Sequence, residues 1–173
     1  MKDKKINSTF IWIFLFLLLT FNVSSNEINF EAENIETSGE NFISASKNIV
    51  ITDEYGNKIY GDKLSIDNKK KIYIITDNVR VENITNKIII NANKIRYNQK
   101  NSIINTIGKT DLNKDNNYFI ESSDIFFNQE KGNIYSDHKS IITDLFNNLI
   151  EIKNFDMSLK KNLLFGNNAV LKD

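Results

Sequence analysis

Ala92-Asn93-Lys94-Ile95, near the middle of the chain, has counterparts on both sides: Ala32-Glu33-Asn34-Ile35, Gly61-Asp62-Lys63-Leu64, Ser122-Ser123-Asp124-Ile125 and Ile152-Lys153-Asn154-Phe155. Their last members, at 35, 64, 95, 125 and 155, are 29, 31, 30 and 30 residues apart. A second apolar landmark follows 16 or 17 residues after each: Ile51, Val81, Leu112, Ile142 and Leu171. Two landmarks in step over five units point to stacked copies of one small unit, each burying its apolar side against its neighbours.

The units read as strands. Ile72-Tyr73-Ile74-Ile75, Ile88-Ile89-Ile90, Ile103-Ile104 and Ile141-Ile142 are β-branched or aromatic runs that suit a pleated sheet. Tyr55-Gly56-Asn57, Asp67-Asn68, Asn98-Gln99 and Lys131-Gly132-Asn133 separate them as turn material. Each unit therefore holds two strands. Period two puts Ile49 with Ile51 and Val79 with Val81 on one face, and Val50 and Arg80 on the other. It likewise pairs the first landmarks with Ile66, Tyr97, Phe127 and Met157. The small residue (Ala32, Gly61, Ala92, Ser122) stands three places before its landmark, an odd spacing that suits a bulge or corner. Corners repeated at one height fold the sheet over itself. The expected fold is all-β: a V-shaped, jelly-roll-like body of about five two-strand repeats with an apolar interior. The apolar residues of Ser140 to Asn154 also fit helical spacing, but the repeat register favours strand–turn–strand, with the turn at Asp144 to Asn148.

The N-terminus is of a different kind. Lys2, Lys4 and Lys5 precede an apolar run from Phe10 to Phe21, and Val23-Ser24-Ser25 follows. That is the layout of a signal peptide cut after Ser25. The run is shorter than the roughly 20 residues of a spanning helix, although a retained anchor stays open. Residues 1–25 are thus expected to be a signal helix and 26–173 one domain. The chain has no Cys, so an exported domain here owes nothing to disulfides. Without the leader, which holds three Lys and one Asp, the net charge is −2. Such a balance speaks against nucleic acid as a partner.

The stretches Thr76-Asp77-Asn78-Val79-Arg80-Val81 and Ala92-Asn93-Lys94-Ile95-Arg96-Tyr97-Asn98, with the opening Ile28-Asn29-Phe30-Glu31-Ala32-Glu33-Asn34-Ile35, resemble the OstA-like periplasmic domain. That domain is shared by the lipopolysaccharide transport proteins LptA and LptC and the N-terminal part of LptD. The resemblance covers the whole chain after the leader. It departs at Ser122, at Thr110 where the family usually has Val, and in a fifth unit without the small residue. It implies a twisted β-jelly roll, open at both ends and along one side, that carries lipopolysaccharide through the periplasm. Acyl chains would lie in its apolar groove, and edge strands would join other OstA-like domains or an outer-membrane assembly partner. A cut leader fits LptA or LptD and a kept anchor fits LptC; the short approach from leader to first unit favours LptD.

The candidate groove residues are Ile49, Ile51, Ile66, Val79, Val81, Ile95, Tyr97, Leu112, Phe127 and Ile142; plain core packing is the alternative for each. The edge candidates lie near Ile28 to Ile35 and Ala169 to Lys172. An outer-membrane barrel is not expected within this sequence, which lacks the many alternating strands with aromatic girdles that one needs; the chain stops at Asp173 within its fifth unit and reads as either a complete short protein or the N-terminal piece of a longer one. Catalysis is not expected. The sole His, His138, sits in the polar stretch Ser136 to Lys139, and no Cys nucleophile or metal cluster stands out. Asp111 to Ser122 starts like a calcium loop but lacks its central Gly and final acid, and reads as a hairpin. No metal or cofactor is called for. The alternative function is a secreted β-solenoid or polysaccharide-binding surface module.

Overall fold

The computed structural model describes residues 28–172. The expected signal helix lies outside the described residues. The described chain is a meander of ten antiparallel segments. The first is β1 (Asn29–Glu31) with β2 (Asn34–Ser38). Four unbroken strands follow: β3 (Phe42–Thr52), β4 (Asn57–Asp67), β5 (Ile72–Asn83) and β6 (Ile88–Asn98). The other five are broken in the middle: β7 (Ile103–Thr106) with β8 (Lys109–Lys114), β9 (Tyr118–Ser123) with β10 (Phe126–Asn128), β11 (Asn133–Ser136) with β12 (Ser140–Asp144), β13 (Leu149–Ile152) with β14 (Asn154–Ser158), and β15 (Leu163–Asn167) with β16 (Val170–Lys172). Ten segments are five two-strand repeats, as the period requires.

The breaks divide the sheet into two wings. The first wing contains β2, β7, β10, β11, β14 and β15; the second contains β1, β8, β9, β12, β13 and β16. Strands β3 to β6 run through both. On β6, residues Ile95–Asn98 pair with β7 while Ile88–Ala92 pair with β8. The sheet thus folds along one line and has the expected V shape.

The bend has a residue-level cause. On β3 and β5 the ladder register shifts by one extra residue, between Ser46 and Ile49 and between Thr76 and Val79. The residues there have left-handed backbones: Lys47 (φ 67°), Asn48 (φ 51°), Asp77 (φ 66°) and Asn78 (φ 53°). Thirty residues further on, Gly108 (φ 83°) takes the same role, and Asn168 (φ 55°) closes the series two units later. Asn, Asp and Gly adopt that region most cheaply. The extra residue therefore sits on the strand beside the small residue, and the small residue faces it. Gly61 shows why it must be small: a Cβ there would lie 2.4 Å from Ile75 Cγ2. In the fifth unit Ile152 takes the small residue's place, and the small residue moves to Gly166, whose Cβ would lie 3.0 Å from Ile152 Cδ1.

The segment Ser140 to Asn154 is strand–turn–strand, without a helix. Asp144 makes the turn. Its Oδ1 accepts the backbone N–H of Phe146 (2.8 Å) and Asn148 (2.9 Å), and its Oδ2 accepts the Asn148 amide (2.8 Å). The Asn148 side chain, then the Asn148 and Phe146 N–H groups, hold the Asp144 carboxyl below the usual carboxylate range.

Two outcomes follow. Gly61→Ala should lower stability by about 1–3 kcal/mol through overpacking, seen as a lower urea midpoint at unchanged slope. Asp144, with a folded pKa below its unfolded value, stabilises above pH 3.8 and loses that contribution as pH falls through the depressed value. Asp144→Ala should therefore flatten the acid limb of a stability–pH curve relative to the native chain.

Candidate functional site

Two side-chain ladders face each other across the V. In the second wing the rungs are Phe30, Ile51, Ile59, Val81, Ile90, Leu112, Ile120, Ile142, Ile150 and Leu171, one from every segment and each directly opposite the next. In the first wing they are Thr37, Ile43, Ile66, Tyr73, Tyr97, Ile104, Phe127, Ile134, Met157 and Leu164. The outer face of the second wing is by contrast mostly polar, reading Glu31, Val50, Tyr60, Arg80, Asn91, Asp111, Glu121, Ile141, Glu151 and Val170. Alternation in the sequence thus becomes two faces of different solubility.

All ten candidate groove residues stand on the interior face. Ile49, Ile51, Ile66, Val79, Val81, Ile95, Tyr97, Leu112, Phe127 and Ile142 are each at most 2% exposed and belong to one core cluster. The wings touch along their middle length, and side chains fill the space between them. At the ends the ladders open to water: Ile35, on the same face as the terminal rung Thr37, and the terminal rung Leu171 are 52% and 64% exposed. Among the described residues both expected edges are present, at β1–β2 and at β16. The sequence reading missed β15, which is the matching edge in the first wing.

Polar residues inside the fold make two groups. The first lies along the corner of the later units. The Thr110 hydroxyl donates to Thr106 Oγ1 (2.7 Å), which also accepts the Ile125 N–H (2.8 Å). Ser122 and Ser140 hydroxyls pair at 2.8 Å, and Ser136 Oγ–H donates to the Ser123 carbonyl (2.7 Å). Where strands break, backbone groups lose their ladder partners, and these hydroxyls supply replacements. That explains Thr110 and Ser122, the two departures from the apolar or small pattern. Beside this group His138 Nε2 lies 3.1 Å from Asp124 Oδ2.

The second group joins the wing tips. Asp53 begins the turn between β3 and β4 in the second wing, and its Oδ2 accepts the Asn57 amide at 2.6 Å. The Asn57 amide also donates to Gln129 of the first wing, and Asn83 Nδ2 donates to Asn57 Oδ1 (2.7 Å). The Tyr55 and Ser102 hydroxyls meet across the mouth at 2.9 Å. Asp53, Asn57, Asn83 and Ser102 are buried. Behind them Tyr97 packs against Tyr73, with ring centroids 6.0 Å apart. Burial, and then the charge of Asp53, push the Tyr97 phenol above its usual range, and burial raises Tyr73. The group is a polar clasp that holds the mouth of the V shut at its centre. The sequence shows its turn residues but not their meeting, since Asn57 and Gln129 are 72 residues apart.

No family model matches the chain, and no curated protein matches it. Among solved structures, one match is LptH from Pseudomonas aeruginosa, described as the LptA homologous periplasmic component of the conserved lipopolysaccharide transport device. Identity is 10%, 82% of each chain is covered, and the TM-score is 0.37. The assignment of the fold rests on the two ladders and the bend, not on this likeness.

Asn57→Ala would strip Asp53, Asn83 and Gln129 of a shared partner. It should destabilise the fold by about 1–3 kcal/mol. Amide exchange should rise in the turns at 53–56 and 129–132 and stay unchanged at the corner.

Proposed function

We propose that this protein is a non-enzymatic carrier of lipopolysaccharide in the periplasm, reached by a cleaved signal peptide, and that the acyl chains travel between the two wings. The observation that carries the reading is the pair of facing ladders, apolar at every rung but the terminal Thr37, which run from one edge of the fold to the other and open at both ends. An acyl chain of a dozen carbons in water costs on the order of 10 kcal/mol, at roughly 0.8 kcal/mol per CH₂. An interior of Ile, Val, Leu and Phe removes that cost at every step along its length. The five-fold sequence register, with its resemblance to OstA-like domains, supports lipopolysaccharide as the cargo. The ten interior residues from Ile49 to Ile142 are the proposed contacts.

Since the interior is packed, a chain must part the wings and take the place of wing-to-wing contacts. The ladder hydrogen bonds within each wing survive such a motion, because the fold line crosses backbone that is already bulged or broken. The ends, where Ile35 and Leu171 are half open, are where parting starts. Edge strands β1–β2 and β15–β16 carry ladder groups without partners among the described residues, which suits addition of strands from a neighbouring OstA-like domain or an outer-membrane assembly partner.

A second reading has one observation in its favour. On the outer face of the first wing Phe126 stacks on Tyr135, with centroids 5.1 Å apart and planes at 10°, and Asp156 and Phe165 follow in register. Aromatic faces beside a carboxylate suit a glycan surface, as in a polysaccharide-binding module.

Photo-crosslinkers at Val81, at Ile95 and at Tyr135 separate the two. The carrier reading expects lipopolysaccharide to label the interior pair in periplasmic extracts and spare position 135. Labelling of position 135 by glycan, with a silent interior, would overturn it.

A further inference from the structure

The two rims of the V have opposite chemistry. The turns of the first wing are residues 39–41, 68–71, 99–102, 129–132 and 159–162; those of the second are 53–56, 84–87, 115–117 and 145–148. The first set carries Lys69, Lys70, Lys71, Lys100, Lys131, Lys160 and Lys161, all exposed, against Glu40 and Glu130. The second set carries a single lysine, Lys87, and that one is paired with Asp115 at 3.0 Å. It also exposes Ile84, Leu145 and Phe146. On the first rim only Lys70 is in an ion pair among the described residues, with Asp67 at 3.3 Å.

The lysine-bearing turns are tied into a rail. Each turn donates a backbone N–H to a carbonyl of the turn before it: Asn68 to Asn41 (2.8 Å), Gln99 to Lys71 (3.0 Å), Gln129 to Ser102 (3.1 Å) and Leu159 to Gly132 (2.9 Å). Successive turns are two strands apart, about 9–10 Å. Four of them therefore set cationic groups in a row of roughly 30 Å, and the interior rungs nearest the rim, Tyr73, Tyr97, Ile104 and Phe127, lie directly behind it. Charges of one sign this close repel each other unless an anion lies among them.

We propose that this rail binds the phosphates of an anionic lipid headgroup whose chains occupy the interior. The inference rests on the carrier reading for the position of the chains. It adds what that reading lacks: a fixed side for the head. Ammonium groups at the first rim attract the phosphates, and the second rim, with Asp53, Glu54 and Asp115 and its one paired lysine, does not compete for them. An amphipath at the mouth is thus oriented, head on the lysines and chains inward, and successive turns pass its phosphates along the row. Ammonium–phosphate contacts at an exposed rim contribute individually little and act together, so the binding is salt-dependent.

The test compares the full mature chain with a rim variant, Lys69→Gln, Lys100→Gln, Lys131→Gln and Lys161→Gln. A control variant of equal charge change carries Lys58→Gln, Lys94→Gln, Lys109→Gln and Lys153→Gln. The probes are bis-phosphorylated lipid A, the same lipid after phosphatase treatment, and a neutral fluorescent long-chain alcohol. The rim variant should lose affinity for the phosphorylated lipid by about tenfold or more at low salt, with a flatter salt dependence. The control variant should lose far less, and the two phosphate-free probes should bind all three proteins alike. Equal losses in both variants, or no loss in the rim variant, would overturn the proposal. So would displacement of lipid A by inorganic phosphate beyond the effect of chloride at equal ionic strength, which would mark a site for free phosphate. Failure of the native chain to take up the neutral alcohol would instead sink the carrier reading, and the rim comparison would still be readable.

Discussion

A single sheet buries one face against itself only if every segment turns at the same height. This constraint governs the rest of the structure. A bend placed one residue early on one strand would move that strand's side chains to the wrong face in half of the sheet. The chain meets the constraint with a left-handed backbone step repeated every thirty residues, at Lys47-Asn48, Asp77-Asn78 and Gly108, and again at Asn168. A small residue opposite lets the two wings close. Gly61 leaves no space for a methyl group beside Ile75. Where Ile152 breaks the rule, Gly166 restores the room from the neighbouring segment.

The bend also changes character along the chain. In the first half it is a bulge in continuous strands, and the backbone stays paired on either side. In the second half the strands break outright, and hydroxyls of Thr106, Thr110, Ser122, Ser136 and Ser140 take over the lost bonds. Buried hydroxyls in an otherwise apolar interior would be costly without partners. Here each has one, so the same residues that dilute the apolar pattern stabilise the break. On the proposed carrier reading, a fold line made of bulges and hydroxyl contacts, rather than regular ladder, is where the two wings would change their angle.

Closure at the mouth is of another kind. Asp53, Asn57, Asn83 and Gln129 exchange hydrogen bonds between wing tips, and the Tyr55–Ser102 contact adds a second tie. Polar contacts of this sort are exchangeable with water when the wings part, unlike apolar surface, so the clasp opens at lower cost than the ladders would. The wings are thus held by apolar contact in depth and by hydrogen bonds at the lip. On the proposed carrier reading, a cargo chain would replace the former in kind, and water the latter.

The amino-acid sequence by itself determined the repeat, the strands and the inward face. The period of thirty and the alternation of two are local properties, and every one of the ten residues chosen on that basis, from Ile49 to Ile142, lies inside. The corner was readable from Ala32, Gly61, Ala92 and Ser122, although the extra residue lies on the partner strand. Tertiary structure alone decided three things. It brought Asn57 to Gln129 across 72 residues, which no local pattern records. It gave Thr110 and Ser122 their partners. It also sorted the turns onto two rims, so that lysines spread through a chain of balanced charge stand in one row. Charge composition adds over the whole chain, whereas a field depends on which charges the fold places side by side.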